Sequence, residues 1–574
     1  MKNIILVSDM MDNEYPLPDF FDKEKIATPN FDEEIDSAIT NYLTNLNNKE
    51  ISSITLPVNL SQNFLELSGI RVGHHIRLTK ELKYRKVPLI FYGSLELETL
   101  AKISPLSSIL FTPNVYYVNI SRYSFEDIVK YINAISLSLN DFDFNKYLDF
   151  VRIEPPANYQ SHHSVDNEIA LIEWSKYLRC DNQIVEVKEN LKNGLYFKYH
   201  SVLNPVESPE TGTQFEITEK GNILLIDDEW EKGWKDFYNY FFHYSGQIWL
   251  DTLSIDFKSL SQTEIIQEAK NKIETFKPDV ILLDLRLCDI DFEDELPSNK
   301  LTGIQILDIV KNINKGIQVI ITTASNKVWN FEAAKKYGAN GYIIKSGISN
   351  IKEDIKNLKT LIEEGLKRSS FLKIINQKLK AAIQCWDNYK IHQRRNLTDQ
   401  MHDTLWHANL KLQIKDFLNN AFDTINNDEI QERFTISILL LYRVIEMLNE
   451  FFIVEEGTYF KKDISYKFDI DDQPVPRISF NTGNYNIETL SKGKTLSTKE
   501  KAYAIYHKYK NVTPKDLFKM INNLTEYRNK VAIHPDKRFK EESLEYLFEN
   551  KFDDFKRIIV NHFNAVMNYV NSFN

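Results

Sequence analysis

The sequence predicts a multidomain protein in which two α/β doubly wound domains precede an all-helical domain. Two stretches alternate short apolar runs with amphipathic helical patterns, as parallel sheets with crossover helices do. A third stretch near the C-terminus has helical periodicity almost throughout. At 574 residues the chain is longer than one hydrophobic core supports, so several domains are expected.

The expected boundaries follow these changes of pattern. We expect an α/β domain at 1–150, an irregular connector bearing some structure at 151–219, a second α/β domain at 220–349, a linker helix at 350–393 and a helical domain at 394–574. The linker pattern suits a signalling helix or coiled coil. We expect its apolar stripe to be buried in a homodimer.

Composition limits the classes of function. Hydrophobic residues make up 43% and charged residues 26% of the chain, which is ordinary for a globular protein. No run approaches the roughly 18 apolar residues that span a bilayer. The three cysteines lie far apart, which favours reduced thiols in a cytoplasmic protein. A net charge of −11 argues against extensive coating of nucleic acid but leaves room for one basic groove.

Charged side chains follow the predicted strands of the second α/β domain. Successive apolar runs end at Asp227 and Asp228, at Asp284, near Thr323 and at Lys345. Strand ends of an open parallel sheet meet at one edge, so these groups should lie together. Clustered carboxylates attract Mg²⁺, and an ammonium and a hydroxyl can hold phosphoryl oxygens. The pattern therefore predicts phosphoryl transfer to an aspartate.

This order and spacing resemble the receiver domains of bacterial response regulators. The resemblance implies a phosphoryl donor that is a histidine kinase or a phosphotransfer protein, with Mg²⁺ as cofactor. The site residues that it implies are the phosphoacceptor Asp284, the metal ligands Asp227, Asp228, Asp284 and the Arg286 carbonyl, and the switch residues Thr323, Tyr342 and Lys345. The long acidic loop at 289–295, and Ser346 where the family has proline, leave the local loop geometry open.

The first α/β domain has a similar order of elements without the same side chains. The corresponding positions hold Ser8 and Asp9, Leu56 and Pro57, Tyr92 to Ser94, and Val118 where the lysine is expected. One carboxylate does not hold a metal and accept a phosphate. Two interpretations stay open, a degenerate receiver-like interaction domain and an unrelated ligand-sensing Rossmann-like domain.

Two pairs of adjacent histidines suggest metal ligation at first sight. They are His74 with His75 and His162 with His163. Neighbouring residues of a helix point about 100° apart, which suits a shared metal poorly. We expect these histidines on solvated helix surfaces.

The C-terminal region has two well-defined helical signals. The run 434–452 places apolar residues at helical spacing. A later helix begins at the N-cap Thr513 and is ended by Pro535, and it includes Arg528, Asn529 and His534.

Together these helices resemble the HEPN ribonuclease domain, particularly that of CRISPR-associated ribonucleases. The resemblance implies a homodimer that cleaves RNA without metal through the ribose 2′-hydroxyl. Arg528 would hold the scissile phosphate, His534 would assist proton transfer, and Asn529 would orient the site. The alternative is a helix-end arginine and a capping histidine in a non-catalytic bundle.

A lysine-rich segment with interleaved tyrosines precedes that motif. Phosphate attraction and base stacking together suit single-stranded RNA. The candidate RNA-binding residues are Lys501, Lys508, Lys510 and Tyr506. A solvated lysine face is the alternative. His402 also lies in a sequence similar to the phosphoacceptor box of some histidine kinases, although no Gly-rich ATP lid follows, and a surface histidine is the simpler interpretation.

The sequence thus predicts a phosphorylation-regulated effector in which Asp284 controls a dimeric endoribonuclease. By analogy, such a protein suits antiphage defence or growth arrest. The alternative from another class is a non-catalytic adaptor whose helical domain binds a protein partner.

Overall fold

The computed structural model describes most of the chain up to Lys510 and isolated positions beyond it. The described residues are 2–8, 22–26, 32–60, 66–124, 126–127, 129–130, 143–154, 162–180, 193–203, 216–293, 296–325, 327–346, 350–389, 400–427, 429–430, 433–457, 464–481, 484–490, 494–510, 521–522, 524–525, 528, 564, 566–567 and 569–570.

The chain divides into two compact units. The first comprises Met1–Ala269, Leu282–Gln305 and Ile320–Ile362. The second comprises Lys270–Ile281, Ile306–Val319 and Glu363–Asn574. Within the described residues, no helix has the length and apolar character needed to cross a membrane.

The N-terminal domain contains a five-stranded parallel sheet. Its strands are β1 (Lys2–Ser8), β2 (Asp22–Ile26), β3 (Ile51–Pro57), β4 (Leu89–Gly93) and β5 (Val115–Asn119). They lie side by side in the order β2-β1-β3-β4-β5, and every neighbouring pair is parallel. Helices α1 (Asp32–Asn45), α2 (Ser68–Leu78) and α3 (Leu97–Ile103) connect them. This is the doubly wound arrangement that the alternating pattern predicts.

The second sheet repeats that order. Its strands are β6 (Gly221–Ile226), β7 (Ile248–Thr252), β8 (Val280–Leu283), β9 (Gln318–Thr323) and β10 (Gly341–Ile344). Their order, read from the edge, is β7-β6-β8-β9-β10, so each sheet places its own strands as second, first, third, fourth and fifth. Strand β8 is buried along its whole length, which explains its continuous apolar run.

The segment 151–219 contains regular structure. After α4 (Phe144–Phe150) come α5 (His162–Leu178) and α6 (Leu195–Leu203). Between the prolines near both ends of the segment, described residues form these two helices. They are regular structure of the kind that a connector bearing some structure is expected to contain.

The second domain's helices are α7 (Trp234–Phe241), α8 (Gln262–Phe276), α9 (Thr302–Ile313) and α10 (Val328–Lys336). They are followed by the long helix α11 (Ile351–Asn388). The linker prediction of 350–393 therefore matches one continuous helix closely.

The apolar stripe of α11 is buried within the chain itself. Leu372, Ile375, Leu379, Ala382 and Trp386 are each at most 2% exposed and belong to the core of the second unit. That burial removes the reason for expecting the stripe in a dimer interface, because helices of the same chain already cover it.

The C-terminal domain is mainly helical, with strands between its helices. Helices α12 (Gln400–Asn426), α13 (Arg433–Phe452) and α14 (Thr498–Lys510) form its described helical part. Two antiparallel pairs are inserted after α13, namely β11 (Ile453–Glu456) with β12 (Ser465–Phe468) and β13 (Arg477–Asn481) with β14 (Asn484–Glu488). The polar stretch between the helices is thus partly sheet, and the all-helical expectation is wrong there.

Candidate functional site

Three carboxylates meet at the C-terminal edge of the second sheet. Oxygens of Asp227, Asp228 and Asp284 all lie within 4.8 Å of one another. The Asp284 backbone N–H donates to the Ile226 carbonyl at 2.9 Å, which holds the ends of β6 and β8 level. The buried apolar strands thus bring together the carboxylates that follow them in sequence.

A buried lysine completes the cluster. Lys345 is 1% exposed, and its Nζ lies 2.5 Å from Asp227 Oδ2 and 3.1 Å from Asp284 Oδ2. Its backbone N–H donates to the Thr323 carbonyl at 2.8 Å, so β9 fixes where the lysine leaves β10. The ammonium also lies 4.5 Å from the centre of the Trp234 ring.

Burial and mutual repulsion shift the pKa values of these groups strongly. Burial raises the pKa of Asp227 to about 6, although the Lys345 ammonium acts in the opposite direction. Burial, with repulsion from Asp227 and Asp284, raises the pKa of Asp228 well above its usual value. Burial disfavours the charged form of Lys345, but the adjacent carboxylates outweigh it and raise its pKa above the usual value. A divalent cation would relieve the repulsion among the three carboxylates.

The residues present fit a hard divalent cation. Three carboxylate groups converge at one place, and Mg²⁺ is bound in proteins by one or two carboxylates together with water and phosphate oxygens. The ligand set predicted from the sequence, Asp227, Asp228, Asp284 and the Arg286 carbonyl, includes this cluster. The Arg286 backbone N–H is 3.3 Å from Asp284 Oδ1, so Arg286 lies beside the cluster.

Two further predicted switch residues, Thr323 and Tyr342, lie near the site. Thr323 is 1% exposed at the end of β9, and its Oγ1 accepts from the Ser325 N–H at 3.3 Å. The Tyr342 hydroxyl donates to the Ser325 carbonyl at 3.1 Å, and its ring contacts Phe331 edge-on at 5.4 Å. The loop after β9 therefore contacts the threonine and the tyrosine directly.

The acidic loop is organised by one buried carboxylate that sequence reasoning missed. Asp291 is 1% exposed and accepts from the backbone N–H groups of Leu287 at 2.8 Å, Cys288 at 3.2 Å and Thr302 at 2.9 Å. A run of acidic residues looks uniformly solvated in a sequence, and only the fold distinguishes this member. Asp291 therefore fixes the loop that follows the candidate acceptor.

A glycine allows the next helix to approach the candidate acceptor. A Cβ on Gly303 would lie 2.3 Å from the Asp284 carbonyl oxygen, which no side chain tolerates. The Gly303 N–H donates to the Leu285 carbonyl at 3.0 Å. The start of α9 is thus held against the residue that bears the carboxylate.

Helix α5, from the supposed connector, packs beside this edge. Its Trp174 indole N–H donates to the Ser346 carbonyl at 3.2 Å, next to Lys345, and its ring meets Trp234 edge-on at 5.7 Å. Glu168 of the same helix pairs with Lys232 at 3.0 Å. No local pattern indicates this contact, because the residues are far apart along the chain.

The N-terminal sheet has the same backbone geometry without the same chemistry. A Cβ on Gly69 would lie 1.7 Å from the Pro57 carbonyl oxygen, and the Gly69 N–H donates to the Val58 carbonyl at 3.1 Å. Gly303 relates to Asp284 and Leu285 in the same way. Pro57 therefore occupies the position of Asp284.

The position of the buried lysine is also apolar in the N-terminal sheet. Strand β4 ends at Gly93 as β9 ends at Thr323, and Ile120 N–H donates to the Gly93 carbonyl at 2.9 Å as Lys345 does to that of Thr323. Ile120, two residues beyond the expected Val118, thus corresponds to Lys345. Ser8 ends β1, and Asp9 lies outside the described residues.

The paired histidines of α2 are buried, so the solvated-surface prediction is wrong for them. His74 and His75 are both 0% exposed. His74 contacts the Tyr147 hydroxyl at 2.9 Å and the Leu106 carbonyl at 2.8 Å, whereas His75 Nε2 lies 2.7 Å from Asp36 Oδ1. Their side chains point to different partners, as neighbouring helix positions require. The side chains of His162 and His163 lie outside the described residues.

In the C-terminal domain, one residue of the predicted nuclease motif is described. The guanidinium of Arg528 lies 5.2 Å from the centre of the Tyr442 ring, so it contacts α13, the helix that the sequence paired with it. Asn529 and His534 lie outside the described residues. Helix α12 contains the backbone of His402.

The candidate RNA-binding lysines have acidic partners within the chain. Lys501 Nζ is 3.1 Å from Glu455, and Lys508 pairs with Asp471. Tyr506 is half-buried and packs against the helical core, and burial raises the pKa of its hydroxyl. Lys510 ends α14, and its side chain lies outside the described residues. These ion pairs would compete with phosphate, and RNA binding stays a prediction.

Comparison with protein families identifies both sheets. Residues 3–118 match the family model of the inactive receiver domain, and residues 250–356 match that of the response regulator receiver domain. The chain contains an inactive receiver domain and a response regulator receiver domain. The second match begins after β6, so Asp227 and Asp228 lie before it and join the site through the fold. No curated protein matches the chain.

Solved receiver structures resemble part of the chain. A LuxR-family response regulator from Aurantimonas sp. SI85-9A1 is 18% identical and covers 25% of this chain and 86% of its own, at a TM-score of 0.19. The receiver domain of Francisella response regulator 1452 is 24% identical and covers 25% and 98%, also at 0.19. The signal receiver domain of a modulated diguanylate cyclase from Desulfovibrio desulfuricans G20 is 17% identical and covers 26% and 98%, at 0.19. At these TM-scores the likenesses support no functional argument.

Proposed function

We propose that this protein is a response regulator whose Asp284 accepts a phosphoryl group from a histidine kinase or phosphotransfer protein. The observation that carries the proposal is the buried Lys345, whose ammonium contacts both Asp227 and Asp284 at the edge where three carboxylates converge. A structural ion pair requires only one carboxylate. The two further carboxylates and the lysine together suit an aspartate that is phosphorylated.

Groups at this edge of the sheet can carry out phosphoryl transfer to Asp284. An oxygen of the Asp284 carboxylate forms the bond to phosphorus while the phosphorus–nitrogen bond of a donor phosphohistidine breaks. The imidazole leaves with the electron pair and takes up a proton. Asp227, Asp228, Asp284 and the Arg286 carbonyl would hold Mg²⁺, which supplies charge neutralisation for the phosphoryl oxygens. Lys345 is placed to hold another of those oxygens, and the Thr323 hydroxyl a third.

Phosphorylation would alter the contacts that connect Lys345 with helix α5. On phosphorylation, the Lys345 ammonium would shift from Asp227 towards the phosphoryl group. The same ammonium contacts the Trp234 ring. Trp234 and Ser346 both contact Trp174 of α5. Helix α5 is therefore placed to respond to the charge state of Asp284.

The segment 306–319 of the receiver packs tightly on the long helix α11. A Cβ on Gly316 would lie 2.3 Å from the Lys373 backbone nitrogen of α11. Lys373 Nζ lies 2.7 Å from Asp279, and Lys315 Nζ lies 2.8 Å from Asp423 of α12. A shift of the segment 306–319 would be passed directly to these helices.

We propose further that the helical domain is the effector and that Arg528 belongs to a metal-independent ribonuclease site. The supporting observation is the contact between Arg528 and Tyr442, which brings the arginine of the HEPN-like pattern against α13. The Arg528 guanidinium would neutralise the scissile phosphate, and His534 would assist proton transfer from the ribose 2′-hydroxyl. A homodimer is part of this proposal because the resemblance implies a composite site.

The experiment measures RNA cleavage by the full-length protein with and without beryllofluoride and Mg²⁺. Cleavage should change when the phosphoryl mimic binds, and Arg528→Ala should lower the rate by on the order of 10²–10⁴-fold while the dimer and the melting temperature are retained. Cleavage should persist when EDTA removes metal. Arg433→Ala, on the same domain but distant in sequence from the motif, is the matched control.

Two results would separate the components of the proposal. Beryllofluoride binding without any RNA cleavage would retain the response regulator and replace the nuclease by a non-catalytic adaptor that binds a protein partner. Cleavage that Arg528→Ala leaves unchanged would place the nuclease site elsewhere.

A further inference from the structure

The C-terminal domain contains a pocket whose lining includes Lys501 but not Arg528 of the proposed nuclease motif. It has a volume of about 610 Å³ and lies among α12, α13, β11 and the start of α14. This volume is in the range of pockets that hold small molecules, about 300–1,000 Å³. Trp406, Asn449 and Thr498 contribute to its wall.

The charge of the pocket selects the sign of a ligand. Its wall carries four carboxylates against two permanent cations and one histidine, the carboxylates being Glu446, Glu450, Glu455 and Asp469 and the others Arg443, Lys501 and His407. Carboxylates stay in excess even with the histidine protonated. A phosphate or nucleotide is therefore repelled, and a cation is attracted.

The ion pairs within the pocket leave acceptor capacity unused. Arg443 is shared between Glu446 at 3.1 Å and Glu450 at 3.2 Å, and Lys501 lies 3.1 Å from Glu455. Each carboxylate has about four lone-pair sites, so one N–H contact does not saturate it. The wall retains strong acceptors for a ligand that donates hydrogen bonds.

A buried amide points to the same kind of ligand. Asn449 is 4% exposed, and its Nδ2 donates to the Thr498 carbonyl at 2.9 Å, which fixes the orientation of the amide. Its Oδ1 is buried, and no donor in the described part of the chain reaches it. A buried acceptor without a donor is destabilising, and a ligand N–H would satisfy it.

An aromatic surface completes the wall. The Trp406 indole is 44% exposed and meets the His407 ring edge-on at 4.9 Å. An exposed indole face attracts cations. The histidine contacts Phe451 in turn at 4.9 Å, which holds the wall in place.

We propose that this pocket binds a small organic polycation that carries primary ammonium groups. Excess carboxylates, the unpaired Asn449 carbonyl and the Trp406 indole each favour a cationic hydrogen-bond donor, and they are independent features of the same wall. A ligand with two or more ammonium groups matches the excess of negative charge. Binding would join α12, α13 and α14, the helices of the effector domain.

Calorimetry with spermidine tests the proposal on the full-length protein in saturating Mg²⁺, which occupies the receiver carboxylates. Spermidine should bind with one-to-one stoichiometry, and the double substitution Glu446→Gln with Glu450→Gln should weaken binding by tenfold or more. Trp406→Ala should weaken it about fivefold, within the range of a cation–π contact. Glu364→Gln removes an exposed carboxylate of α11 and should leave affinity unchanged.

The same titrations define the contrary results. Equal weakening by Glu364→Gln would mean that spermidine condenses on the acidic surface, and the site would be rejected. Absence of binding at millimolar spermidine, or tighter binding of adenosine monophosphate than of spermidine, would also overturn the proposal. Melting temperatures of all variants without ligand establish that lost binding is not lost folding.

Discussion

The two receiver sheets have the same strand order and nearly opposite chemistry. Each orders its strands as second, first, third, fourth and fifth, and in each a glycine at the start of the third connecting segment approaches the carbonyl at the candidate acceptor position. That position is Pro57 in the first sheet and Asp284 in the second. Backbone geometry has therefore been kept where the reactive side chain has not.

The substitutions at Pro57 and Ile120 each remove a group that phosphorylation needs. Proline has no carboxylate to phosphorylate, and Ile120 at the lysine position gives no charge to hold a phosphoryl oxygen. The receiver scaffold thus requires the glycine contact and the apolar strands, whereas phosphorylation requires the acidic cluster and the lysine.

In the N-terminal domain, buried charge serves packing instead. Asp36 accepts from Arg71 at 2.6 and 2.8 Å, from His75 and from the Leu195 backbone N–H at 2.7 Å. Burial raises the pKa of Asp36, but the hydrogen bonds and charge interactions with His75 and Arg71 outweigh it and hold that pKa well below its usual range. Leu195 begins α6, so this carboxylate fixes a helix from outside the sheet domain.

Removal of Mg²⁺ should produce the largest difference in behaviour between the two receiver domains. Chelation should lower the rate of Asp284 phosphorylation by a small-molecule phosphodonor by on the order of 10³-fold, since several kcal/mol of charge stabilisation are lost. The stability of the N-terminal domain should not change. Phosphate incorporation and hydrogen exchange, with and without EDTA, measure both effects. Full phosphorylation in EDTA would contradict the metal assignment.

Replacing the equivalent glycines should affect both domains alike. Gly69→Ala and Gly303→Ala each place a methyl group against a carbonyl oxygen, and each should cost about 3 kcal/mol or more of unfolding free energy. Chemical denaturation of the full-length protein, followed by domain-resolved hydrogen exchange, reports them separately. Gly246→Ala, where a Cβ would meet nothing within 4 Å, is the control. A harmless Gly69→Ala would break the structural equivalence of the two sheets.

Replacing the buried loop carboxylate of Asp291 should have the next largest effect on stability. Asp291→Asn loses charge-assisted bonds from three backbone N–H groups and should destabilise the receiver by about 3 kcal/mol. The exposed neighbour Asp289→Asn should change stability by less than about 0.5 kcal/mol. Equal effects in thermal unfolding would mean that the loop is held by other contacts.

The smallest expected effect is the pH dependence that a buried histidine gives to the N-terminal domain. Burial lowers the pKa of His74 to about 4 from 6.5, so the unfolded chain binds the proton more tightly. Stability is complete above pH 6.5 and falls as pH drops towards 4, by about 2 kcal/mol between pH 7 and 5. His74→Gln should remove that part of the slope. An unchanged slope in pH-dependent denaturation would assign the titration to other groups.

Local pattern predicted the second receiver well because its strands are buried runs that end in charged residues. The four strand ends that hold Asp227, Asp284, Thr323 and Lys345 are all visible in the sequence. Non-local contacts were not visible, such as Trp174 against Trp234 or Asp36 against Leu195. The sequence predicts His74 and His75 at the surface because adjacent helix positions point about 100° apart, whereas α2 is buried along almost its whole length. Likewise, the burial of α11 depends on helices that follow it.

Phosphate incorporation into single aspartates tests the central claim most directly. The full-length protein is incubated with a small-molecule phosphodonor and Mg²⁺, reduced with borohydride to trap aspartyl phosphate, and mapped by mass spectrometry. We predict that label is confined to Asp284 and that Asp284→Asn abolishes it. Pro57→Asp should gain no label, because Ile120 gives no cation. Label that persists in Asp284→Asn, or that is found in the N-terminal domain, would contradict the account.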